Sequence, residues 1–142
     1  MSMSQEKLQT AMSYAMTNRP KSGGFPFMAE CLRQAGVESN TWALPGAQSI
    51  YVMKDGVVVQ QGEPLMTGVA DIAPFDEKAL ISALRKDQVG ESTFAQFLTA
   101  SWEAGVVGYK VDFSACTVHY YGARGEEYTE AYPAVEVNGL IF

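Results

Sequence analysis

The chain has 142 residues, a net charge of −6 and a pI near 4.7. Its 47% hydrophobic and 18% charged residues are typical of a folded globular protein. The acidic balance argues against nucleic acid or an anionic membrane surface as a partner. No run approaches the roughly 20 apolar residues of a membrane-spanning helix, and no signal-peptide pattern is visible. We therefore expect a cytoplasmic protein that folds as a single domain over residues 1–142.

The first half predicts two helices followed by three short strands. Apolar residues at helical spacing predict a helix over Ser4–Asn18 and a second over Phe25–Ala35, which ends before Gly36. Three β-like runs follow, and the Pro-Gly and Lys-Asp-Gly sequences between them indicate turns. These runs predict an antiparallel meander: Thr41–Leu44, Ser49–Met53 and Val57–Gln60.

The second half repeats this order. A helix is predicted over Phe75–Lys86, with acidic residues at its start and basic residues at its end, as the helix dipole favours. Thr93 and Gln96 predict a capping box for a fourth helix, which stops at Gly105. Three further β runs follow: Val106–Phe113, Cys116–Tyr121 and Glu126–Ala131.

An offset of 69 positions aligns the two halves without a gap and places Ala35-Gly36-Val37 on Ala104-Gly105-Val106. Four further identities fall at the same offset: Phe25 with Phe94, Tyr51 with Tyr120, Gly56 with Gly125 and Pro64 with Pro133. We interpret residues 4–64 and 75–133 as an internal repeat. The alternative is that two similar units arose separately because glycine suits both turn positions.

One such unit alone leaves an apolar face uncovered, because three strands and two short helices bury little surface. We therefore predict an α+β fold in which two tandem repeats, each of two helices and a three-stranded antiparallel meander, pack as one pseudo-symmetric domain.

The run from Phe94 to Tyr121 contains Ala104-Gly105-Val106, Tyr109, Val111-Asp112 and Tyr120-Tyr121. It resembles the signature of a family of small bacterial proteins of unknown function (domain of unknown function 1398), called YbcV-like or phage-envelope-protein-like. The resemblance extends from about Leu8 to Pro133. Its motifs mark structural positions, so it implies a fold and no catalytic residues or mechanism.

Candidate chemistry lies on one face of the last strands. If Tyr109 faces the core, strand alternation places Lys110 and Asp112 on the opposite face. His119 and Tyr121 on the next strand share that face. These four residues are candidate binding residues, and Asp112 orienting His119 would form a general acid/base pair. The alternative is a solvated sheet face with ordinary cross-strand polar pairs. Any such site would belong to the second half alone, because Ala43 and Ile50 occupy the matching positions in the first half.

Two cysteines and one histidine are too few for a four-ligand zinc site. No EF-hand spacing or HExxH motif is present, so we expect no metal, with an Asp/Glu site for a hard cation as the open alternative. We also expect no cofactor. Cys31 and Cys116 are predicted to be unpaired and largely buried, as expected in a reducing compartment. Cys116 and His119 are not expected to form a catalytic pair, because their side chains would point to opposite faces of one strand.

Two classes of function remain. The first is a non-catalytic module that binds a protein or a small ligand, with a homodimer as one form of assembly. The second is a small enzyme that acts through Asp112 and His119. A flat apolar patch would favour the first class, and a deep pocket at His119 would favour the second.

Overall fold

The computed structural model describes residues 1–142 and confirms the predicted order of four helices and six strands. The elements are α1 (Met3–Asn18), α2 (Gly24–Gln34), β1 (Val37–Ala43), β2 (Gln48–Met53), β3 (Gly56–Gln61), α3 (Glu77–Gln88), α4 (Phe94–Glu103), β4 (Val106–Asp112), β5 (Thr117–Gly122) and β6 (Glu127–Ala131). None of the helices combines the length and apolarity that crossing a membrane would require.

Side-chain caps fix where the helices of the second half begin. The Thr93 hydroxyl accepts a bond from the Gln96 amide at 3.1 Å, and the Gln96 side chain accepts one from the Thr93 amide at 2.9 Å. The predicted capping box of α4 is therefore confirmed. The predicted start of α3 at Phe75 is two residues early, because the Asp76 carboxylate caps the helix by accepting from the Ala79 amide at 3.1 Å.

All six strands form one antiparallel sheet in the order β3-β2-β1-β4-β5-β6. The two meanders meet at β1 and β4, where Thr41 lies opposite Lys110, its own equivalent at the 69-residue offset. A pseudo-twofold axis therefore passes between these two residues. Each half also shifts register at the same place, after Val37 in β1 and after Val106 in β4. The two helix pairs and meanders have the same strand order and directions, so the repeat is evident in the topology.

The two halves differ at their third strands. Met53 pairs with Gly56 across a two-residue turn, whereas the Gly122 amide bonds the Glu126 carbonyl across a turn of three residues. This extra residue shifts the equivalence of β6 by one, so that Glu127 is the counterpart of Val57. The match of Gly56 with Gly125 is therefore one of sequence only, and the gap-free offset holds only through the second strand.

The helices cover one face of the sheet. Its inward side chains join a core cluster of 23 buried residues, to which the helices contribute Leu8, Leu32, Leu80 and Phe97. The predicted inward residues Tyr109, Val111, Val118 and Tyr120 are all buried, as strand alternation requires. The other face carries no helix, and it displays the candidate residues.

Candidate functional site

The uncovered face of the sheet carries three rows of side chains, one from each strand in every row. The pairing registers define the rows, which run from β3 to β6. The first row is Val57, Val52, Ser39, Asp112, Thr117 and Ala131; the second is Val59, Ile50, Thr41, Lys110, His119 and Thr129; the third is Gln61, Gln48, Ala43, Gly108, Tyr121 and Glu127. Every chemical group on this face therefore has a fixed place relative to the others.

The four candidate residues all lie on this face, in its second half. Lys110 and His119 are direct cross-strand neighbours in the middle row. Asp112 lies in the first row opposite Thr117, and Tyr121 lies in the third row opposite Gly108. The structure brings Lys110 and His119 together and separates Asp112 and Tyr121 from each other.

The Asp112 carboxylate accepts hydrogen bonds from the turn between β4 and β5. One oxygen of its carboxylate accepts bonds from the Ser114 amide at 3.0 Å, the Ser114 hydroxyl at 3.1 Å and the Ala115 amide at 3.0 Å. The bond from the Ala115 amide is the main cause of the lowered pKa of Asp112. This carboxylate therefore caps a turn, and none of its bonds is to His119.

His119 has another partner. Its Nδ1 lies 2.7 Å from the Thr129 hydroxyl, which is its cross-strand neighbour on β6. The imidazole is exposed, so this bond links two solvent-facing side chains. The Asp112–His119 pair that the sequence suggests is not assembled, because each residue bonds a different group.

Tyr121 packs over the backbone of β4. A Cβ atom built on Gly108 would lie 2.5 Å from the Tyr121 hydroxyl oxygen and 2.7 Å from the Trp42 carbonyl oxygen. The tyrosine ring thus occupies the space that a side chain at position 108 would fill. Its observed role is packing on the sheet surface.

On the uncovered face of the first half, β2 and β3 carry an exposed apolar area that was not predicted from the sequence. Ile50, Val52, Val57 and Val59 are 41%, 38%, 67% and 60% exposed, and they form two adjacent cross-strand pairs on β2 and β3. We call these four residues the apolar patch. The alternation of residues in Ser49–Met53 and Val57–Gln60 already indicated this patch, because both runs place apolar residues on each face of the sheet.

Cys116 was predicted to begin a strand, but it does not lie on one. It occupies the turn before β5 with φ 54°, and Ala47 occupies the equivalent turn position before β2 with φ 50°. The left-handed backbone conformation at position 116 delays the strand to Thr117. Both thiols are free; Cys31 is buried and Cys116 is half-buried. Desolvation raises the pKa of the Cys31 thiol.

Two clefts lie away from the uncovered face. One runs between α1 and residues 139–142, and it is bordered by Tyr14 and Phe142. The other is narrow and lies between α2, the turn that joins β4 to β5 and the segment after β6, where Arg33, Cys116 and Tyr132 line it. No group of three or more His, Cys, Asp or Glu side chains is arranged to hold a metal ion.

Comparison with known proteins supports the resemblance noted in the sequence. Residues 14–130 match the family model described as "Protein of unknown function (DUF1398)". The chain is 48% identical over 132 residues to the uncharacterized protein Rv2012 of Mycobacterium tuberculosis. The matched region covers 93% of this chain and 80% of that protein. It has the same identity and coverage with the uncharacterized protein Mb2035 of Mycobacterium bovis. The chain therefore belongs to the DUF1398 family.

Proposed function

We propose that this protein is a non-catalytic module that binds a protein partner through the uncovered face of its sheet. The apolar patch is the observation that carries the proposal. Its four aliphatic side chains lie together on a flat surface, with no helix of the chain above them. Contiguous exposed apolar surface of this kind is typical of protein contacts, whereas small ligands are usually held in concave sites.

The rest of the face defines the chemistry of the partner. Lys110 is exposed and takes part in no salt bridge within the chain. It lies in the same row as Ile50 and Val59, separated from Ile50 by β1. Adjacent strands are about 4.8 Å apart, so its backbone lies about 10 Å from that of Ile50. The partner we infer presents an apolar surface flanked at this distance by a carboxylate.

The alternative is a small enzyme that uses His119. The observation in its favour is the exposed imidazole beside Lys110 in the middle row. A histidine base is usually oriented by a second group, and here that group would be Thr129 rather than a carboxylate. We favour the binding module, because Asp112 is occupied by the turn and the face is flat.

Site-specific photo-crosslinking tests the proposal. A crosslinking amino acid at Val52 should capture a discrete protein in the source organism, and the same group at exposed Ser82 on α3 should not. With the captured protein purified, Ile50→Lys should weaken binding at least about tenfold, because it places a charge in an apolar interface. His119→Ala should leave this binding within about twofold, because it lies outside the apolar patch.

Three outcomes would contradict the proposal. The first is that Val52 and Ser82 capture the same proteins, which would mean that the patch has no partner of its own. The second is that Ile50→Lys binds as tightly as the unaltered chain. The third is a turnover that His119→Ala abolishes and Ile50→Lys retains, which would establish the enzyme alternative.

A further inference from the structure

The two edges of the sheet differ in how they are protected. β3 forms one edge, and its sequence Gly56–Gln61 contains no charged residue, no proline and no register shift. β6 forms the other edge and carries Glu127 and Glu130. Natural proteins protect free edges with charges, prolines or bulges, because an unprotected edge pairs with another strand. By this criterion β6 is protected and β3 is open.

The hairpin fixes which backbone groups of β3 are free. Its two-residue turn makes Met53 and Gly56 a hydrogen-bonded pair of the β2–β3 ladder. At the other end of the ladder the Gly62 amide donates to the Ala47 carbonyl at 2.7 Å, which fits the same alternation of hydrogen-bonded pairs. The alternation between these ends directs the N–H and C=O groups of Val57, Val59 and Gln61 away from β2. Three alternate residues of β3 thus present unpaired donors and acceptors at the edge.

We propose that a second copy of this chain pairs with β3 in antiparallel orientation, with Val59 opposite Val59 of the second copy. Val59 is the middle one of the three outward residues, so this register also pairs Val57 with Gln61 of the second copy, and the reverse. All outward groups are then satisfied by about six backbone hydrogen bonds around one twofold axis. The pairing uses backbone groups at the edge of the sheet, whereas the proposed function uses side chains on its face, although Val57 and Val59 belong to both.

The charges at the two ends of β3 favour the same pairing. The turn end carries two lysines, Lys54 and Lys7, and one aspartate, Asp55, whose carboxylate lies 2.7 Å from the Lys7 ammonium. The other end is followed by Glu63. In the antiparallel register Glu63 of the second copy lies opposite Asp55, whose charge is compensated by Lys7, and one position from Lys54, and the twofold axis repeats this arrangement. Parallel pairing would instead place like charges together.

Sedimentation analysis of the full chain tests the proposal. Interfaces of this small size support only weak association, so the concentration series runs from about 1 µM to 1 mM. We expect the mass to rise from the 15.4 kDa monomer to twice that value. Val59→Pro removes an outward N–H and leaves the β2–β3 bonds intact, since an edge strand tolerates proline where its N–H faces solvent. This variant should dimerise at least about tenfold more weakly, because two of the backbone bonds are lost.

Two further variants make the test decisive. Ala131→Pro removes an outward N–H from β6, the protected edge, and should dimerise like the unaltered chain. Val59→Lys keeps the backbone but opposes two lysines across the axis, and at a side chain 60% exposed it should fold normally and remain monomeric. A monomeric unaltered chain at every concentration would overturn the proposal. So would a folded Val59→Lys variant that still dimerises, or an assembly that grows beyond two copies.

Discussion

Gly36 and Gly105 end the second helix of each half, and replacing each by alanine tests how the two halves differ. Both residues have left-handed backbone conformations, with φ +95° and +85°. An alanine in this conformation is destabilised by about 1–2 kcal/mol, because its Cβ crowds the neighbouring carbonyl oxygen. The two substitutions share this local effect, so any difference between them reports on the surroundings.

The surroundings are very different. A Cβ at position 36 would meet only the Lys54 Cβ, at 3.9 Å, which is an ordinary contact. A Cβ at position 105 would lie 2.5 Å from the Pro74 carbonyl oxygen and 2.7 Å from the Phe75 Cα. The segment before α3 must then move, and overpacking of this kind adds about 1–3 kcal/mol. We expect Gly36→Ala to lose about 1–2 kcal/mol and Gly105→Ala about 2–5 kcal/mol of unfolding free energy.

Urea unfolding at one fixed protein concentration measures both losses. Gly46→Ala is the matched control, because a Cβ there meets nothing within 4 Å and the backbone needs no positive φ. It should unfold within about 0.5 kcal/mol of the unaltered chain. Equal losses for Gly36→Ala and Gly105→Ala would refute the reasoning, since they would show that residues 73–75 do not pack against Gly105.

Three further predictions concern the uncovered face. Asp112→Ala should lower the unfolding free energy by about 1 kcal/mol, the value of a lost side-chain cap. Asp112→Asn should lower it by less, because the amide oxygen of asparagine still accepts bonds from the turn. Equal losses for the two variants in urea unfolding would contradict this prediction. The pKa of Asp112 is lowered on folding, so its charge stabilises the fold above the unfolded pKa of about 3.9, and this contribution is lost as the pH falls through the folded pKa. The difference in unfolding free energy between the unaltered chain and Asp112→Ala should therefore become smaller from pH 6 to pH 2. A difference that stays constant would mean that the charge of Asp112 contributes nothing to stability. His119→Ala should change thermal stability by no more than about 0.5 kcal/mol, because its bond to Thr129 is exposed, and a loss of several kcal/mol would place the imidazole in a buried network.

The sequence was sufficient for the order of the elements and for the direction of the side chains of β4 and β5, but not for all the bounds: β1 is Val37–Ala43, whereas the predicted strand was Thr41–Leu44. Thr93 and Gln96 identify the start of α4 within one turn of helix, and alternation places Tyr109 inward and Lys110 outward. These features depend on contacts between residues at most a few positions apart. Short-range periodicity and helix capping can therefore be recognised in the sequence without knowledge of the fold.

The tertiary structure decided what the outward side chains meet. The pairing of β1 with β4 brings Thr41 against Lys110 and joins the two meanders into one sheet, although these residues are far apart in sequence. The bonds from the Ser114 and Ala115 amides to Asp112 are local and belong with the features that the sequence determines, whereas the bond between His119 and Thr129 depends on the pairing of β5 with β6. A single inserted residue before β6 makes Glu127 the counterpart of Val57, a shift in register that only the strand pairing reveals. Strand neighbours and registers are fixed by long-range packing and hydrogen bonding across the whole sheet, and for that reason local sequence patterns do not reveal them.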